Sequence, residues 1–267
     1  MDETRDIELA EQAVELEAQA PWPLIEASGL GLATSRGVLF EGIDASVPKG
    51  AVCAVLGPYG IKRSALILTL CSRCRFTSGE LRVGKYSMEP SPSPHAGSVL
   101  RDFFAGLGAA ASDNSRALAR RAARDARAMT GIGFFSRVNS VRPGITLLDL
   151  AAAELHLYGR PSSDAHAHEH LRMWGLDDLA DKRFRELDAQ QRCRLGLCLG
   201  MAGEPEILAV EDIEVGLAPY QSRHLMGYLK KLAGEGLTVL VGCVDPVLAA
   251  QADCVIELDG LSEEASE

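Results

Sequence analysis

The chain has 267 residues, a formal net charge of −10 and a hydrophobic fraction of 47%. That length suits one large α/β domain with appendages or two small domains, and the apolar fraction is ample for a core. The acidic balance gives no reason to expect nucleic-acid binding, and no run approaches the ~18 uninterrupted apolar residues of a membrane span.

The N-terminus is acidic and lacks the apolar stretch of a signal peptide, so a cytoplasmic protein is expected. The seven cysteines fit that compartment as reduced thiols in strands and helices. Within residues 1–23, Ile7, Leu9, Val14 and Leu16 are spaced roughly for one helical face among many acids. This reads as an acidic helical extension ended by Pro21 and Pro23. Residues 24–32 and 37–47 read as two strands, and a Pro-Lys-Gly turn at 48–50 leads into AVCAVLGPYGIKRSAL at 51–66.

That stretch reads as a buried strand, a glycine turn and the start of a helix. A strand feeding a glycine loop that opens a helix is the phosphate-cradling arrangement of P-loop proteins, written G-x-x-x-x-G-K-[ST]. Here the frame is Gly57, Pro58, Tyr59, Gly60, Ile61, Lys62, Arg63, Ser64. The first glycine and the serine are in place. Lys62 stands for the second glycine and Arg63 for the lysine.

The following helix is expected over 63–74. It carries Cys71 and Cys74 as C-x-x-C, either a packed helix face or a redox or metal pair. A strand follows near 78–88. Residues 89–130 read as a linker, EPSPSP, and an insertion ending in a helical run at 115–129. Arg116, Arg120, Arg124 and Arg127 line one face of that run. The face is either a solvated basic surface or a stripe that docks on acidic protein or anionic lipid heads.

A short strand is expected at 132–135 and a helix from Leu147. A second helix carries His166, His168 and His170. His166 and His170 share a face, as a metal pair or as exposed histidines. Next come a helix and an apolar strand ending in Glu211 and Asp212, then strands at 237–245 and 254–260. Residues 259–267 form an acidic tail.

The order of these motifs resembles the ATP-binding cassette family, the ATPase subunits of ABC transporters, over about residues 24–258. GPYGIKRSAL resembles GPNGAGKSTL. RCRLGLCLGMAGEPEILAVED followed by GLAP resembles the family's signature helix, Walker B strand and the loop beyond. IGFFSRVNSVRPGITLLDL resembles the segment around its glutamine loop.

The resemblance implies a P-loop NTPase fold of ABC type, α/β in class. It has a mixed sheet core, an N-terminal antiparallel β portion and a helical subdomain at 145–200. It also implies ATP and magnesium as ligands, a dimer with a like or different cassette, and a membrane transport subunit as partner at the inner face of the membrane.

Seven functional motifs depart from the family pattern. No aromatic lies between Trp22 and Phe40 to stack on adenine, a contact worth ~1–3 kcal/mol in base–aromatic pairs. Lys62 places a side chain where the family needs bare backbone, with a strained conformation in prospect. Arg63 keeps the charge but is planar and aimed differently; Lys62 reaching back as a substitute is the best case for residual binding. Ser64 matches the magnesium-binding hydroxyl, and Ala65 drops a second one.

Arg137 stands at the glutamine-loop position, where a cation opposes a metal. Leu187, Asp188, Ala189, Gln190 and Gln191 stand for L-S-G-G-Q, and Asp188 would set a carboxylate against a phosphate. Glu211 and Asp212 invert the order of the Walker acids. Glu211 takes the metal-side place and Asp212 is a shortened catalytic base. Ala218 and Val244 replace an aspartate and the switch histidine. The expected function is a non-hydrolysing cassette acting as scaffold or regulatory subunit, with ATP and magnesium bound weakly or not at all. The alternative is a divergent ATPase of low turnover.

Overall fold

The computed structural model describes residues 23–91, 114–135, 141–211 and 213–258, with side chains left out at 114–120. Two sheets organise it. The first is antiparallel, in the order β2-β1-β4-β5. Its strands are β1 (Pro23–Thr34), β2 (Gly37–Pro48), β4 (Ser78–Val83) and β5 (Tyr86–Met88). The second is parallel, in the order β6-β7-β8-β3-β9. It is built from β3 (Val52–Leu56), β6 (Thr130–Ile132), β7 (Ile207–Val210), β8 (Thr238–Cys243) and β9 (Cys254–Glu257).

The strand sequences explain the parallel sheet. Every residue of β7 and β8 is buried, and so are four of the five in β3. Continuous apolar runs of this kind mark strands covered on both faces. One cover is helix α1 (Ile61–Leu70), in which eight residues from Arg63 to Leu70 are buried. It lies in a core shared with Ile25, Leu30 and Phe40 of the antiparallel sheet and with Cys53 and Val55 of β3. On the other face, Met226 and Leu229 of α6 (Pro219–Gly234) and Leu248 of α7 (Pro246–Ala249) pack on Val52, Val239 and Val241.

A third core joins α3 (Leu147–Leu157), α4 (Asp164–Met173) and α5 (Ala189–Gly200) through Leu147, Ala151, Leu171, Leu195 and Leu199. Two of these helices start on side-chain caps. Thr146 accepts from the Asp149 amide at 3.1 Å, and Asp188 accepts from the Gln191 amide at 2.8 Å.

The insertion enters through α2 (Asn114–Ala128). Arg127, half-buried, donates from Nε to the Ser72 carbonyl at 2.7 Å, and Arg73 donates back to the Arg127 carbonyl at 3.1 Å. Arg127 is therefore spent on a local lock, whereas Arg124 is exposed. The N-terminal extension, the acidic tail, Arg137 and Asp212 lie outside the described residues.

Several sequence expectations shift. The strand expected at 132–135 is Thr130–Ile132, pulled forward by pairing of Thr130 with Ile207. The helix after the loop starts at Ile61, not Arg63, and ends at Leu70. Cys71 is thus its C-cap and Cys74 lies in the turn beyond. His166 and His170 do not act together. His166 meets Ser163 Oγ at 2.6 Å, while His170 is buried with Nε2 at 2.7 Å from the Cys198 carbonyl. No group of three metal-ligating side chains occurs among the described residues.

Candidate functional site

β7, β8 and β3 are neighbours in the parallel sheet, so their C-terminal ends open side by side. Ligand sites of open α/β sheets form at such ends. The three ends deliver Glu211, Val244 and the loop from Gly57 to Gly60 to one edge.

The loop is tied down at its start, where the Gly57 amide donates to the Cys243 carbonyl at 3.1 Å. Gly60 caps α1 in extended conformation with no side-chain hydrogen bond. Lys62 then falls in regular helix. Among the described residues other than glycine, only Ser72 and Glu204 have positive φ, so the strain expected at Lys62 is not there. Lys62 is half-buried, and its side chain has no hydrogen bond or ion pair among the described residues.

Arg63 points inward. It is 0% exposed, and its Nη1 donates to the Gly57 carbonyl at 3.1 Å. Its Nε lies 3.6 Å from a carboxylate oxygen of Glu211, and its guanidinium sits 5.3 Å from the centre of the Tyr59 ring. Gly242 makes room for it, since a Cβ there would stand 3.0 Å from Arg63 Nε and 3.3 Å from Glu211 Cγ.

Glu211, 5% exposed, also accepts from Ser64 Oγ at 2.7 and 2.8 Å. Arg63, Ser64 and Glu211 therefore form one buried polar cluster beneath the loop. A buried carboxylate needs such a partner, because an unpaired charge in the interior is costly.

Val244, expected at the switch position, lies just past the end of β8. Val244 is 48% exposed, and its amide donates to Glu214 at 2.6 Å, while the Asp245 amide donates to the other Glu214 oxygen at 2.9 Å.

No family model matches the chain. Over 224 residues it is 25% identical to LolD 1, a lipoprotein-releasing system ATP-binding protein of Rhodospirillum rubrum, covering 82% of this chain and 86% of that one. Over 232 residues it is 30% identical to MetN 1, a methionine import ATP-binding protein of Rhodococcus jostii, covering 84% of this chain and 60% of the relative. Among solved structures, cbiO1 of Clostridium perfringens, part of the ABC transporter complex cbiONQ, aligns with a TM-score of 0.65 and 18% identity. That alignment covers 89% of this chain and 85% of that one. The chain belongs to the ATP-binding cassette family of transporter ATPases.

The residues expected at the signature positions open α5. Asp188 is the N-cap and Gln191 completes a reciprocal box, its Oε1 accepting from the Asp188 amide at 3.1 Å. The aspartate thus has a structural task that sequence comparison alone reads only as an intruding charge. Gln190 accepts from Gln221 Nε2 at 3.3 Å, and Ala189 lies against Gly216, where an added Cβ would meet its own at 3.0 Å.

Two residues of the cassette site escape the motif reading. Glu214 clamps the switch loop, and Gly242 admits the Arg63 side chain. A glycine inside an apolar strand is a signal of close approach, and Gly242 carried it. Glu214 had no comparable mark in the sequence.

Proposed function

We propose that this cassette does not hydrolyse ATP and serves as a scaffold or regulatory partner of a membrane transport complex. It pairs there with itself or another cassette at the inner face of the membrane. The observation that carries this reading is the inward Arg63. A loop cation that reads phosphates has to face the anion, and this one is buried against Gly57 and Glu211. Its charge balances the carboxylate that would otherwise help hold magnesium.

As the loop stands, these residues do not fit a magnesium triphosphate. Binding one would require the buried Arg63–Glu211 pair to be broken first, and breaking a buried pair is costly. Two stabilising contacts of ~2 kcal/mol lost together weaken binding about a thousandfold. The departures at Arg137, Asp188, Asp212 and Val244 add to the catalytic deficit. The transport partner is supported by the relatives, whose names place them in import and release systems.

A second reading, a slow ATPase, rests on one observation. The Ser64 hydroxyl and Glu211 carboxylate are adjacent oxygens, the kind of pair a hard divalent cation accepts. Titration with a fluorescent ATP analogue separates the two. The scaffold reading expects no saturable binding at micromolar analogue, with or without magnesium. Saturable, magnesium-dependent binding supports the slow ATPase instead.

A further inference from the structure

A cavity of ≈ 220 Å³ opens between α5 and α6, and no phosphate-loop residue lines it. Its walls are two helix faces of matching periodicity. From α5 come Gln190, Cys193, Arg194 and Leu197; from α6 come Gln221, His224, Leu225 and Tyr228. Each set is spaced i, i+3, i+4, i+7, one face of a helix. Two helices in direct contact would interdigitate such faces. Here they are joined by the Gln190–Gln221 hydrogen bond, 3.3 Å, and share a core through Leu197, with the cavity between them. Trp174, the C-cap of α4, supplies an aromatic wall and sits edge-on to Tyr228 with ring centres 6.0 Å apart.

The chemistry of the lining is one-sided. Trp174, Leu197, Leu217 and Leu225 give an apolar body, while Arg194 and His224 bring the cationic and imidazole groups. Among the described residues no acid lines the cavity. An apolar cavity of ~150 Å³ is enough to hold benzene, so this one has room for a single ring with a short polar arm. Ligand sites combine such an apolar wall with a few convergent polar groups.

We propose that the cavity between α5 and α6 binds a small organic monoanion, a single ring or short alkyl chain bearing one carboxylate. The ring lies against Trp174 and Tyr228, and the carboxylate faces the Arg194 guanidinium, which can pair with it through two parallel N–H donors. No phosphate-loop residue belongs to the site, and it braces the helix carrying Gln190 against α6.

Trp174 is a built-in reporter, because the chain has two tryptophans and the other is Trp22. In a Trp22→Phe protein all tryptophan emission comes from Trp174. Titrating that protein with phenylacetate and hexanoate, and with neutral phenylacetamide as control, tests the site. The expected result is saturable quenching by at least one acid below millimolar, and at least roughly tenfold weaker binding of phenylacetamide. Adding Arg194→Gln is expected to erase that preference by weakening the acid roughly tenfold. Arg194 is exposed, so this variant keeps its fold, and its melting temperature checks that. Absence of saturable quenching at millimolar acid overturns the proposal. So does equal binding of phenylacetate and phenylacetamide, or an Arg194→Gln protein that binds the acid unchanged.

Discussion

Ser64 Oγ donates to Glu211, lying 2.7 Å from one carboxylate oxygen and 2.8 Å from the other. The bond joins the first turn of α1 to the end of β7 across the sheet edge. With Arg63 on the same carboxylate, it makes the centre of this sheet edge a structural joint. Replacing Glu211 by Leu should therefore break a buried charge pair and cost ~3–5 kcal/mol in urea unfolding. The double variant Arg63→Met, Glu211→Leu should cost less than Glu211→Leu alone, because it removes both charges. A cycle showing the two costs simply adding would mean that the pair is not coupled.

The cysteines give a second check of the interior. Burial pushes the Cys71 and Cys243 thiols up to about 12. Cys254 is held below the usual thiol value, chiefly by a hydrogen bond from Cys53, whose own thiol is raised by that bond and by burial. A lowered value means more thiolate at neutral pH, and the thiolate is the nucleophile. Cys254 should react with iodoacetamide before Cys71 and Cys243, as read by peptide mass mapping. Cys53→Ala removes the donated bond and should slow Cys254 several-fold.

Much of this architecture was legible in the residues. The apolar runs of β3, β7 and β8 need cover on both faces, and the glycine turn after β3 marks the sheet edge that carries the site. The direction of Arg63 was not legible. Whether an arginine in the first turn of a helix faces solvent or the interior depends on a carboxylate nearly 150 positions away, Glu211, and on the missing side chain of Gly242. The short strand at 130–132 was misplaced for a related reason: its extent follows from pairing with β7 rather than from its own residues. His170 read as exposed because its acceptor, the Cys198 carbonyl, lies on another helix.

Asp188 separates structure from chemistry at the signature positions. Since its side chain caps α5, Asp188→Ala should destabilise by ~0.5–2 kcal/mol, whereas Asp188→Ser keeps an acceptor and should lose little. Thermal melts of the two variants measure the difference. Equal losses would mean that the cap contributes nothing.

Repairing the loop tests whether its losses are local. Lys62→Gly with Arg63→Lys rebuilds the G-x-x-x-x-G-K-S sequence with Ser64 in place. The glycine clears the backbone at the start of α1, where amide groups favour an anion, and lysine supplies a compact charge. The double variant should gain thermal stabilisation from millimolar magnesium-ATP that the native protein lacks, since a ligand of the folded state raises the melting temperature. A folded variant without added stabilisation would rule out the phosphate-site assignment of residues 57–64.

Phosphate release from ATP by the purified native protein, followed to single-turnover sensitivity with magnesium present, bears most directly on whether this cassette has left catalysis. The inward Arg63, the N-capping Asp188 and the ringless Val244 lead to release at background, unchanged in an Asp212→Asn variant. Steady, magnesium-dependent release that disappears in Asp212→Asn would contradict it and make this chain a working ATPase.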